Sequence, residues 1–235
     1  MKQVNIARQS GFTLVEIAIV LVIIGLLLGG VLKGQEMIEN SKIKSIVNDM
    51  KAVQAAYNGY IDRYKTIPGD ETLPVMQARG WTTVTQGGNG NGVLAAAVGQ
   101  TFVNAAGNET SAFWQSLRAS GLLTGDPAGT TVTALPKHAG GGNIGVASGT
   151  VYAQNGTFVC ASGLTTKQAM GVDILIDGPL PTTAPNINIG NNVGSLLGAT
   201  GAGNPLNPVA AAPAATAYNE TTVVTPWTVC MKIAG

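Results

Sequence analysis

The sequence predicts an α+β chain: one long N-terminal helix, membrane-spanning in its first half, packed on a small antiparallel β-sheet domain with long loops. Three observations predict it. Residues 17–32 are an uncharged apolar run, the apolar residues that follow recur three and four apart, and beyond residue 70 short β-rich runs alternate with Gly, Asn and Pro. Composition agrees. Of 235 residues, 45% are hydrophobic and only 11% are charged, far below the roughly 25% of an ordinary soluble domain, as suits surface facing lipid or packed neighbours. The net charge of +1 gives no long-range field toward nucleic acid or a membrane surface. After residue 66 the chain has five basic and seven acidic residues, so a nucleic-acid footprint is missing.

The first element is the membrane span. Phe12 to Leu32 make about 21 residues, enough at 1.5 Å each to cross roughly 30 Å of hydrocarbon. Lys2 and Arg8 precede the run and no acid does, which holds the start in the cytoplasm and sends the rest across. A secretory signal would place its small-residue cleavage site beyond the apolar stretch. Here a helical pattern continues beyond it, and the small residue, Gly11, lies before it. Glu16 sits inside the run. An ionised carboxylate in hydrocarbon costs at least about 2.5 kcal/mol, so this residue calls for a cationic partner.

The stretch Gly11-Phe12-Thr13-Leu14-Val15-Glu16 after a short basic leader resembles the processing site of type IV prepilins and type II secretion pseudopilins. The resemblance implies a leader of residues 1–11, a cut between Gly11 and Phe12 by prepilin peptidase, N-methylation of Phe12, and Glu16 as the assembly contact that sets axial register. It also implies the pilin fold, a homo-oligomeric helical filament of pilin subunits, and an inner-membrane assembly platform as partner. The cation facing Glu16 is either the freed ammonium of Phe12, four residues away on the same helical face, or that of a neighbouring subunit. One departure is plain: many pilins carry proline at the twenty-second mature position, where this chain has Lys33. Gly25, Gly29, Gly30 and Gly34 surround that point at small-xxx-small spacing, and each weakens a helix by about 1 kcal/mol relative to alanine. A helix that melts there on assembly and one that stays intact are both open readings.

Residues 33–66 are expected to continue the helix as an amphipathic segment. Ile43, Ile46, Met50, Val53, Tyr57, Tyr60 and Tyr64 form one apolar seam, with Lys42, Lys44, Asp49, Lys51 and Asp62 off it. A coiled coil could cover the seam. The chain's own distal domain is the expected cover, since that domain otherwise lacks a long amphipathic element. The helix should end near Thr66, before Pro68-Gly69.

Residues 67–235 are expected to form a β-rich head. The glycines of residues 86–92 lack the Lys-Ser/Thr and strand-turn-helix frame of a phosphate cradle, so a flexible loop is expected. Residues 108–125 read as a short helix capped by Asn108 or Thr110, burying Phe113, Trp114 and Leu117, and stopped at Gly121. Strands are expected at 149–153, 157–161 and 221–234. Cys160 and Cys230 fall in the last two. Outside the cytoplasm a disulfide between them would close a loop of about 70 residues and contribute roughly 4 kcal/mol; two buried thiols are the alternative. Such a bond resembles the C-terminal disulfide loop of many pilins. Residues 178–219 carry no charge and read as a long, weakly structured, exposed insertion.

Asp173 and Asp177 would share a helical face, ended by Gly178-Pro179. They are a weak calcium candidate, because calcium wants six or more oxygens; a helix and turn cap is the default, and no other cofactor is expected. Residues 67–71, 113–123 and 173–181 together resemble a pattern in one branch of pilin-like proteins. His138 is the lone histidine, with no nucleophile motif or second ligand near it, so neither a catalytic triad nor a zinc site assembles and no enzyme is expected. The expectation is a pilin in the bacterial inner membrane before assembly, its C-terminus extracytoplasmic, and in an extracellular pilus afterwards. A periplasmic type II secretion pseudopilin, or a minor pilin with an adhesive or DNA-uptake role, is the alternative.

Overall fold

The computed structural model describes residues 13–105, 107–130, 134–183, 189–201, 205–219 and 225–235. The chain divides into two compact units, Met1–Ser41 and Lys42–Gly235. In chain order the elements are α1 (Leu14–Tyr64), α2 (Leu73–Ala78), a 3-10 turn (Val98–Gln100), α3 (Glu109–Ala119), β1 (Ile144–Val151), β2 (Gln154–Leu164), α4 (Thr166–Asp177), β3 (Leu196–Thr200) and β4 (Trp227–Ala234).

The described part of the first unit is the first half of α1. Every residue from Thr13 to Lys33 is exposed, and the stretch is long and apolar enough to cross a membrane. A Cβ added at Gly25, Gly29, Gly30 or Gly34 would meet nothing within 4 Å. Among the described residues, then, no close contact within this unit calls for a glycine at these positions.

In the second unit α1 becomes a core element. Ile43, Ile46, Val47, Met50, Val53, Ala56, Tyr57 and Tyr60 are buried, so the chain's own head covers the expected seam. Val47 and Ala56 widen it, because a helix lying on a sheet buries a stripe rather than a single line. Lys65 ends the helix: at φ 58° it is left-handed, and its N–H donates to the Ile61 carbonyl at 2.8 Å.

The sheet has the order β1-β2-β4-β3 and is antiparallel throughout. It shares one hydrophobic core with the C-terminal half of α1, α3 and α4, centred on Trp114, Trp227, Phe113 and Phe158. The fold is thus α+β, a long helix on a four-stranded antiparallel sheet. The first strand begins earlier than expected, at Ile144, and Tyr152 and Ala153 are not strand but a two-residue turn. Both have positive φ, 49° and 63°, as a type I′ hairpin demands. Their N–H groups donate to the Val209 and Ala210 carbonyls at 2.8 and 2.7 Å.

The largest departure concerns residues 178–219. The described part is not loose: it contains β3, which pairs with β4 from Leu196↔Met231 to Thr200↔Trp227. Polar side chains fasten the rest. The Asn191 amide donates to the Gly198 and Ala214 carbonyls, and its Oδ1 accepts the Thr216 N–H. Asn207 donates to the Gly99 carbonyl and accepts the Phe102 N–H. Lack of charge here marks a segment laid against the head, with Asn side chains serving backbone groups that no strand ladder reaches. Likewise α3 spans Glu109–Ala119, with Asn108 at the cap position but making no side-chain cap bond, and Thr110 lies inside the helix.

The glycine-rich loop 86–92, expected to be flexible, is held by buried side chains. Asp70 accepts N–H bonds from Asn91 and Gly92, Glu109 from Asn89 and Ala95, and Gln115 from Thr85 and Gln86. Gly69 sits beneath it at φ +91°, where a Cβ would lie 2.8 Å from both the Glu109 carbonyl and Leu94. Glu71 accepts the Tyr60 hydroxyl at 2.8 Å and pairs with Arg79, tying α2 to the end of α1.

Candidate functional site

The site begins at the first turn of α1. Thr13 precedes the helix and Glu16 lies in its first turn. The Thr13 N–H and Oγ1–H both donate to Glu16 Oε2, at 2.8 and 2.9 Å, and the Glu16 N–H donates back to Thr13 Oγ1 at 3.3 Å. This is a reciprocal capping box, each residue satisfying an orphan N–H of the helix start. Sequence reasoning had found Glu16 and missed Thr13. The signal was present, since Thr-x-x-Glu immediately before an apolar run is the signature of this cap. Gly11 and Phe12, the expected cut and methylation positions, lie outside the described residues.

The Glu16 carboxylate stands at the head of a helix whose next seventeen residues are all exposed. One oxygen takes both donors from Thr13. The arrangement can hold a negative charge at a helix N-terminus, where the macrodipole favours it, and present it to a cation.

In the head, the structure joins Cys160 to Cys230, which are direct partners in the β2–β4 register. Both are fully buried. The bond ties the last strand to the centre of the sheet and closes a segment holding α4, β3 and the charge-free stretch.

Asp173 and Asp177 lie on α4, which starts from a capping box of Thr165 and Gln168 and ends at Gly178 (φ 99°). Each carboxylate has protein donors. Asp173 is buried and accepts the Tyr218 hydroxyl at 2.8 Å; burial pushes its carboxyl up to about 6, with Asp177 adding to the rise and the Tyr218 bond opposing it. Asp177 accepts the Ser195 and Leu196 N–H groups at 2.9 and 2.7 Å, and so anchors the entry to β3. Both act as fasteners of the segment that follows α4. Among the described residues no group of three or more His, Cys, Asp or Glu could hold a metal ion.

His138 is buried, its Nε2 donating to the Ser162 carbonyl at 2.8 Å while Nδ1 accepts the Gly140 N–H at 3.1 Å. Both nitrogens are thus occupied by the neutral ring, and burial lowers its proton affinity below the ordinary histidine value.

A search among curated proteins found no match. The family model of the prokaryotic N-terminal methylation motif matches residues 6–32, the stretch that contains the Thr13–Glu16 cap and most of the exposed apolar helix. The chain therefore carries the signature of type IV pilins and pseudopilins, and that motif, followed by a helix long and apolar enough to cross a membrane, supports a structural subunit of this kind.

Proposed function

We propose that this chain is the structural subunit of a type IV pilus-like filament, cut between Gly11 and Phe12, N-methylated at Phe12, and assembled through α1. The observation that carries the reading is the methylation motif running directly into an apolar helix that its own chain leaves exposed from Thr13 to Lys33. Such a surface is stable only in lipid or among like helices. In lipid the Glu16 charge is costly. In a bundle of identical helices it meets the ammonium of Phe12 from a neighbour, so transfer from membrane to filament becomes favourable and sets the axial register.

The head supports assembly through the helix rather than through strand addition. On the outer side of β1 the Ser148 and Ile144 N–H groups donate to the Ala96 and Pro136 carbonyls, each at 2.7 Å. On the β3 side Gly198 donates to the Asn191 carbonyl and accepts from its side chain. Edges engaged in this way offer little to an incoming strand. The partners in this reading are prepilin peptidase, the inner-membrane assembly platform and other copies of the chain. It requires no cofactor and no catalysis.

Shearing of cells tests it. A sheared fraction with this chain as its main band, beginning at Phe12 with one added methyl by mass spectrometry, is the expected result. A chain confined to the envelope would make it instead a type II secretion pseudopilin. A chain that still carries its leader in a cell with the peptidase would overturn the processing step.

A further inference from the structure

We infer that the Asp126–Pro127 peptide bond is a self-cleavage site, cut by the Asp126 carboxylate while Arg118 and the Gly129 N–H hold the carbonyl under attack. The inference stands apart from the filament reading. Asp126-Pro127 is the one Asp-Pro pair in the chain, and it opens a turn beyond α3 that fixes both groups that react. The Asp126 carboxylate accepts the Ala128 N–H at 2.9 Å. The Asp126 carbonyl accepts the Gly129 N–H and Arg118 Nη1, each at 3.3 Å.

Arg118 is built into place. It comes from the last turn of α3, is 8% exposed, and also donates to the Ala134 carbonyl. Gly125 makes room for it, since a Cβ there would lie 2.7 Å from Nε. Among the described residues the guanidinium forms no ion pair. Burial lowers its proton affinity and the Asp126 charge opposes that, so the charged groups at the turn are these two. A buried cation resting on carbonyls favours any change that makes its acceptor oxygen negative.

Attack by Asp126 is such a change. A carboxylate oxygen bonds to the carbonyl carbon of the same residue, and the carbonyl electron pair moves onto its oxygen, where Arg118 and Gly129 donate; their long resting bonds shorten as charge builds. The oxygen electron pair then returns, the bond to the Pro127 nitrogen breaks, and that nitrogen takes a proton from solvent. The product is a five-membered anhydride. Water opens it, leaving two carboxyl groups on Asp126 and a free amine on Pro127. Acid promotes the step by supplying the proton, as long as part of the carboxyl stays ionised.

The test uses the full chain in detergent, warmed at the lowest pH at which fluorescence of Trp81, Trp114 and Trp227 records a folded head, beside the same chain unfolded in urea. The Cys160–Cys230 bond lies wholly beyond the cut, so a denaturing gel without reductant separates the fragments, and mass spectrometry reads a new terminus at Pro127. Cleavage at least about tenfold faster in the folded chain is expected, a fraction of the roughly 10²–10³ that one preorganised oxyanion donor supplies. An equal or slower rate overturns the inference, leaving only the acid lability of any Asp–Pro bond. Asp126→Asn keeps an acceptor for the Ala128 N–H and is expected to abolish the cut; undiminished cleavage there overturns the role of the carboxylate. Arg118→Gln, if its fluorescence is native, should fall to the unfolded rate, and an unchanged rate removes Arg118 from the site; if it does not fold, the comparison within the parent chain decides.

Discussion

The Tyr218 hydroxyl donates to the buried carboxylate of Asp173 at 2.8 Å, and the Tyr218 ring lies 4.7 Å from that of Trp227. Trp227 in turn donates its indole N–H to Thr166 at the start of α4. One phenol thus joins the charge-free segment, α4 and β4. The bond works beside the buried Asn191, which fastens the same segment, so the Asp173 proton should contribute to how firmly the segment is held.

The sign is set by burial. The folded carboxyl titrates near 6, above its ordinary 3.8, so the folded state binds the extra proton between those values. The contribution is fully present below about pH 3.8 and is lost as pH rises through about 6. Asp173→Asn should therefore flatten this part of the stability profile, read by urea unfolding across pH with Trp227 fluorescence. An unchanged profile would mean that the carboxylate is well solvated when charged.

His138 should act in the opposite direction. Burial holds its proton affinity below the ordinary 6.5, so the unfolded chain binds the proton more readily. Its contribution is fully present above about pH 6.5 and is lost as pH falls through the lower folded value. His138→Gln should remove that acid sensitivity, with the difference from the parent widest near pH 7 and shrinking below it, in the same unfolding experiment.

The Cys160–Cys230 bond closes a separation of 70 residues, which in the chain-entropy account is worth about 4 kcal/mol. The Cys160→Ser, Cys230→Ser double variant should lose that much in denaturant unfolding. Both sulfurs are buried, so mild reductant should leave the native bond intact and cleave it only once the head unfolds, as mass mapping of alkylated thiols would record.

Two glycines should respond in opposite ways. Gly69→Ala forces a left-handed backbone and a collision with the Glu109 carbonyl, and should destabilise the head by about 1–3 kcal/mol. Gly29→Ala meets nothing within 4 Å and should strengthen the isolated helix by about 1 kcal/mol. If close helix approach is what Gly29 provides, the same change should reduce filament yield. Unfolding curves and a shear assay on the same two variants separate the effects.

What the residues disclosed depends on distance along the chain. The span, its Glu16 and the seam from Ile43 to Tyr64 were legible because a helix writes its environment at a period of 3.6 within a few turns. The cysteine pair was legible as two residues in two expected strands. β3 and the path of residues 205–219 were not, since their fastening comes from single side chains such as Asn207 reaching Phe102 across a separation of 105 residues. No local pattern records such a bond. Thr13 was missed for a different reason: Glu16 already had one explanation, and the second, local one was written beside it.

The engaged edges of the sheet carry a consequence for crowding. In the proposed filament, subunits would hold their heads side by side at very high local concentration, the condition under which open strands convert into cross-β aggregate. Asn191 on one edge and the Ala96 and Pro136 carbonyls on the other occupy the groups that such conversion would need. Asn191→Ala heads, which lose the side-chain bond that covers the Gly198 carbonyl on this edge, should therefore be the first to show thioflavin binding when concentrated.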